Sequence, residues 1–125
     1  MNFREVKYME WLFDKSGNAE LFLYQDRFIS REGRNLGWLY NNDVYHISTG
    51  KHIGWYENGI LYNGNNDVVA FVRNCQGHLP SQPGIGGIPG TPGIPGRPGK
   101  PGFGGRPGRP GRGGWSREYV RSMFL

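Results

Sequence analysis

The sequence predicts an all-β head made of four repeated hairpins, about eight short antiparallel strands, carrying an extended C-terminal tail. Three observations predict it. A seven-residue piece recurs four times, short polar links with turn residues join the copies, and glycine holds every third position from Gly84 to Gly114.

The repeated pieces are "GNAELFL" from Gly17, "GRNLGWL" from Gly33, "GKHIGWY" from Gly50 and "NDVVAFV" from Asn66, spaced by 16, 17 and 16 residues. Gly17, Gly33, Gly50 and Asn66 are the turn positions, because Gly and Asn tolerate positive φ. Each is preceded by a stretch that starts apolar and turns polar: "WLFDKS", "RFISRE", "VYHIST" and "ILYNGN". That pattern is strand, left-handed turn, strand. The links are "QD", "NND" and "ENG". Asn58-Gly59 is a strong hairpin signal, since both central residues of a type I′ turn need positive φ. The strands occupy residues 11 to 73. A lone hairpin is marginal in water, so the four must share a core.

An aromatic stands at the same place in all four pieces: Phe22, Trp38, Trp55 and Phe71. Side chains alternate along a strand, so Leu36 and Trp38 share a face, as do Ile53 and Trp55. That face is the expected common core. Gly37, Gly54 and Ala70 fall on the other face, where a neighbouring hairpin can approach. The first copy departs, with Glu20 in place of an apolar residue and a large Leu21.

The turn glycine followed by "GW", in a four-fold repeat of about 16 residues, resembles the bacterial four-fold beta-flower domain over residues 8–74. The resemblance implies four hairpin petals about a pseudo-four-fold axis and brings no catalytic residues with it. A small closed meander barrel is the neighbouring geometry. The organisation is then a head over residues 1–75, a linker over 76–83, a Gly-X-Pro tail over 84–114 and an amphipathic tip over 115–125.

The tail holds 14 of the 22 glycines. Its third position is proline except in Gly-Ile-Gly, Gly-Phe-Gly and Gly-Arg-Gly. Polyproline II has three residues per turn, so each triplet position forms its own edge. The middle position begins apolar, with Ile85, Ile88 and Ile94, and turns basic at Arg97, Lys100, Arg106, Arg109 and Arg112. Three readings follow. Glycine at every third residue suits a collagen-like homotrimer, although like charges would stack between chains. The five cations make a candidate anion-binding edge for nucleic acid or a cell-envelope polymer, with strong salt dependence. The composition also suits a disordered linker. In the tip, Trp115, Tyr119 and Met123 fall four apart with Val120 and Phe124 beside them, a helical stripe that must dock on something.

Charge is divided. Residues 1–77 carry eight Lys/Arg and nine Asp/Glu, and residues 78–125 carry seven Lys/Arg and one Glu. The single cysteine, Cys75, forms no internal disulfide. The opening residues lack a signal-peptide pattern and no stretch suits a membrane helix. Cytoplasm is the default compartment, while a collagen-like tail is more familiar outside cells. His46 and His52 flank one turn, with His78 or Cys75 as a third ligand, but no spacing matches a zinc site. Asp14, Asp26, Asp43 and Asp67 sit near turns, which explains them without catalysis. No catalytic, metal or cofactor site is assigned. The expectation is a non-enzymatic interaction or scaffold module whose tail self-assembles or tethers a protein partner. The alternatives are a salt-sensitive polyanion binder and an effector or toxin with an active site that the sequence does not display.

Overall fold

Left-handed turns set the outline. Gly17, Gly33, Gly50 and Asn66 have φ of 82, 87, 72 and 64°. At the opposite ends of the hairpins Gln25, Asn41, Asn58 and Gly59 have φ of 56, 55, 55 and 80°. Between these turns run eight strands: β1 (Met9–Phe13), β2 (Ala19–Tyr24), β3 (Arg27–Ser30), β4 (Asn35–Tyr40), β5 (Asp43–His46), β6 (His52–Glu57), β7 (Ile60–Asn63) and β8 (Val68–Val72). The computed structural model describes residues 9–125. The first eight residues of the 1–75 head, and most of the stretch weighed as a leader, lie outside the described residues. Each strand pairs antiparallel with the next, and β8 closes on β1 through Leu12–Val72 and Phe13–Phe71. The four petals are thus the staves of one closed barrel, which leaves no open edge.

Every even strand carries a bulge at the same place in the repeat. Leu12 faces Leu21 and Phe13 faces Ala19, so Glu20 is the extra residue. Leu36, Ile53 and Val69 are the extra residues of β4, β6 and β8 by the same count. An inserted residue breaks strict alternation. The expected division of faces is therefore corrected. Leu36, Ile53 and Val69 pack in one cluster with Leu12, Leu23, Phe28, Val44, Leu61 and Ala70, inside the barrel. Trp55 and Phe71 pack in a second cluster with Trp11, Phe22 and Tyr62, on the outside.

The small residues belong to the interior. Phe28 faces Gly37, Val44 faces Gly54 and Leu61 faces Ala70, one bulky side chain against one small one each time. The room left is taken by the C-terminus. A Cβ on Gly37 would meet the Phe124 ring at 2.8 Å, and one on Gly54 would meet the Met123 methyl at 2.6 Å. Val120 and Phe124 are 2% and 5% exposed within the inner cluster. They lie on a short 3-10 helix, Val120–Phe124, that caps the end of the barrel bearing the longer turns. Of the expected stripe, Val120 and Phe124 are buried and Met123 packs against the inner cluster, whereas Tyr119 is 77% exposed and Trp115 pairs with Val68 on the outside. With Val120 and Phe124 filling it, the lumen is a packed core and not a ligand channel.

Candidate functional site: the strap and its groove

The Gly-X-Pro segment does not project as a rod. It folds back and circles its own barrel once. Gln76 and Gly77 donate backbone N–H groups to Asn58 O at 2.9 and 3.0 Å, which turns the chain back along the fourth petal. The strap then passes the turns at Gly17, Gly33, Gly50 and Asn66 in order. Its end crosses its beginning: Trp115 Nε1 donates to Ser81 Oγ at 3.0 Å, and Arg112 donates to His78 O.

Strap and barrel are in register, nine strap residues to each petal. The carbonyls of Gly84, Gly93 and Gly102 lie against Gly17, Gly33 and Gly50. A Cβ on Gly33 would stand 2.9 Å from Gly93 O, and on Gly17 or Gly50 it would overlap the strap outright. These turn glycines are thus needed twice, for their positive φ and for the strap's close approach. The fourth turn has Asn66 instead, and its side chain does the holding. Nδ2 donates to Pro110 O at 2.9 Å and Oδ1 accepts from Arg109 Nε at 2.8 Å.

The departures from Gly-X-Pro have a matching cause. Gly86, Gly104 and Gly113 donate N–H to Gly17 O, Gly50 O and Asn66 O at 2.8, 2.9 and 3.1 Å. Proline has no N–H, so it is excluded from those three positions. The same series falls at Pro95 beside the second petal. There the barrel supplies the donor: Arg27 Nη1 reaches Pro95 O at 3.1 Å, and Asn35 Nδ2 reaches Gly96 O at 3.0 Å.

Side chains repeat the nine-residue step. Lys100 lies 5.3 Å above Trp38, and Arg109 lies 5.1 Å above Trp55. Phe103 stacks on Tyr45 at 4.0 Å, and Arg112 lies 5.8 Å above Tyr62. Trp11 Nε1 donates to Pro89 O at 3.1 Å. Phe22, Trp38, Trp55 and Phe71 are 3%, 0%, 6% and 0% exposed. They line the outer wall, so they owe this burial to the strap and linker as well as to their neighbours on the sheet.

The five basic residues singled out as an anion-binding edge all meet the barrel. Arg97 makes two bonds of 2.8 Å to Asp26, and Lys100 stands 3.6 Å from the same carboxylate. Arg106 bonds Asp43 at 3.1 Å, Arg109 bonds Glu57, and Arg112 bonds His78 O. The Asp26, Asp43 and Glu57 carboxylates and the Arg27 guanidinium escaped sequence reasoning. The acids looked like turn residues, and only the Arg spacing in the tail hinted at counter-charges.

The Arg97 bonds hold the Asp26 carboxyl below its ordinary range against the opposing effect of burial. A carboxylate whose folded pKa is lowered stabilises above its unfolded value and loses that contribution as pH falls through the folded value. The melting temperature should therefore exceed that of Asp26→Asn at pH 7, with the difference closing below about pH 4. A difference undiminished at pH 3 would remove the charge from the explanation.

The two histidines do not converge. His52 Nε2 pairs with Asp43 Oδ1 at 2.9 Å beneath the strap, while His46 Nδ1 lies 3.2 Å from the Ser48 backbone N. Cys75 is half-buried and its thiol is pushed up by that burial, which lowers its reactivity.

The family model described as "4-fold beta flower protein" matches residues 10–124. The chain belongs to the four-fold beta flower family. The matched span of this beta flower runs beyond the hairpins, through strap and cap, whereas the sequence repeat alone carried the resemblance to residue 74. No curated protein and no solved structure matches the chain. The beta flower family is not a known enzyme family. Among the described residues no helix is long and apolar enough to cross a membrane.

The cap explains the odd first petal of the beta flower. Arg121 lies 3.7 Å from Glu20 and 2.9 Å from Glu32. Glu20 stands at the bulge position that is apolar in the other three petals, and it serves the cap's cation there. Ser116, 4% exposed, donates its N–H to Val68 O at 2.8 Å and fastens the end of the strap to β8.

Proposed function

We propose that this chain is a non-enzymatic scaffold module: a four-petal barrel held together by its own tail, with the outer side of that tail offered to a partner. The nine-residue register between strap and petals carries the reading. Three amides, three turn glycines and two pairs of stacked side chains keep it, and a tail meant to reach away from the head has no need of it. This register supports self-contained packing over a free polyanion-binding tail, whose cations would have to leave Asp26, Asp43 and Glu57 first.

Amide hydrogen exchange tests it. The expected result is slow exchange at Gly86, Gly104 and Gly113, against fast exchange at Gly99 and Gly108. Uniformly fast exchange along residues 84–114 would return the tail to a solvated tether.

A further inference from the structure

The cap leans to one side of the barrel mouth. Arg121 pairs with Glu20 and Glu32, and Phe124 packs on Phe28 and Gly37, all in the first two petals. Toward the third and fourth petals a cleft of about 650 Å³ remains. Its floor is apolar, made of the bulge residues Ile53 and Val69 with Met123 of the cap. The lumen beneath is packed, so the cleft ends at the mouth. Its volume falls within the roughly 300–1,000 Å³ of small-molecule sites.

The walls of the cleft carry opposite charges. His46 and Lys51 line it from the third petal, and Glu118 lines it from the cap. His46 Nδ1 accepts from the backbone N–H groups of Ser48 and Thr49 at 3.2 and 3.3 Å. The ring proton therefore sits on Nε2, and this wall supplies two donors, the imidazole N–H and the Lys51 ammonium. Among the described residues neither Lys51 nor Glu118 takes part in an ion pair, whereas Arg97, Lys100, Arg106 and Arg109 of the strap all face carboxylates. Opposite charges that line one cleft without meeting leave room for a molecule between them.

We infer that the cleft binds a small zwitterion with an apolar side group, the chemistry of a free α-amino acid such as leucine or phenylalanine. Its carboxylate accepts from His46 and Lys51, its ammonium donates to Glu118, and its side group covers Ile53, Val69 and Met123. A simple anion would leave Glu118 opposed, and a simple amine would leave Lys51 opposed. The zwitterion answers both. Tyr119 lines the same cleft while 77% exposed, and offers the side group an aromatic neighbour that the core does not use. The site lies on the capped face of the barrel and is independent of the strap's outer side.

L-phenylalanine is the probe, titrated into the full-length protein by isothermal calorimetry. Two comparators, 3-phenylpropionate and phenethylamine, each keep one of its charges. Saturable binding of phenylalanine is expected, about tenfold tighter than either comparator. Lys51→Met and Glu118→Gln should each weaken it by about tenfold. Both residues are exposed, so both variants should melt with wild type. Arg34→Met, an exposed cation of the second petal outside the cleft, should bind as wild type does. No saturable binding of phenylalanine, equal binding of either comparator, or undiminished binding in Lys51→Met or Glu118→Gln would overturn the inference. An equal loss in Arg34→Met would overturn it too, because the effect would then be one of overall charge.

Discussion

A chain that stops at Gly77 will not melt cooperatively. It keeps all eight strands, every turn and the complete four-fold repeat, so hairpin pairing alone predicts a stable head. Two groups of contacts are lost. Inside, Val120 and Phe124 leave a hole beside Gly37 and Gly54, where no other side chain can fill in. Outside, Trp11, Trp38 and Trp55 lose Pro89, Arg97, Lys100 and Arg109, and Phe71 loses Trp115. Returning one large apolar side chain to water costs about 1.5–3 kcal/mol. Two or three such losses match the roughly 3–5 kcal/mol that a core of this size supplies. Circular dichroism of the truncated chain should show a broad, shallow thermal transition and dye-binding apolar surface. A sharp transition within a few degrees of the full-length protein would mean that the strap is an ornament on a self-sufficient barrel.

The barrel was legible because its signals are local. Gly17, Gly33, Gly50 and Asn66 announce left-handed turns within the repeat that uses them, and Asn58-Gly59 announces its own hairpin. The bulge was not legible. An extra residue at Leu36 or Ile53 changes which side chains share a face without changing the composition of the strand. That is why the inner and outer walls were exchanged. The strap was hidden for a different reason. Its contacts join residues 40 to 100 apart in the chain, and each half looks complete alone: Gly17 is a sufficient turn residue, and a Gly-X-Pro run is a familiar extended rod. The nine-residue step of the tail shows only where the strap lies against petals 16 or 17 residues long. The glycines at 86, 104 and 113 were visible as faults in a collagen pattern, when they are the positions where the strap must donate an N–H.

Phe124→Ala should destabilise the protein by about 3–5 kcal/mol, although Phe124 is the penultimate residue of the chain. Chain ends ordinarily fray and tolerate change. Here the ring is 5% exposed, stands 6.0 Å from the Phe28 ring, and occupies space that Gly37 leaves open. No neighbour can collapse into that space without moving the β3–β4 hairpin, so the cavity persists and its cost adds to the lost transfer energy. The control is Tyr119→Ala. Tyr119 belongs to the stripe that helical spacing would bury, yet it is 77% exposed. Its loss should cost less than about 0.5 kcal/mol, as for other surface positions. Urea denaturation of the two variants decides between the arrangements. A large effect at Phe124 beside a small one at Tyr119 fits a cap seated in the barrel mouth by Val120 and Phe124. Equal effects, or the reverse order, would fit a helix docked by its Trp115–Tyr119–Met123 stripe, and the barrel would then need another explanation for the glycines on its inner wall.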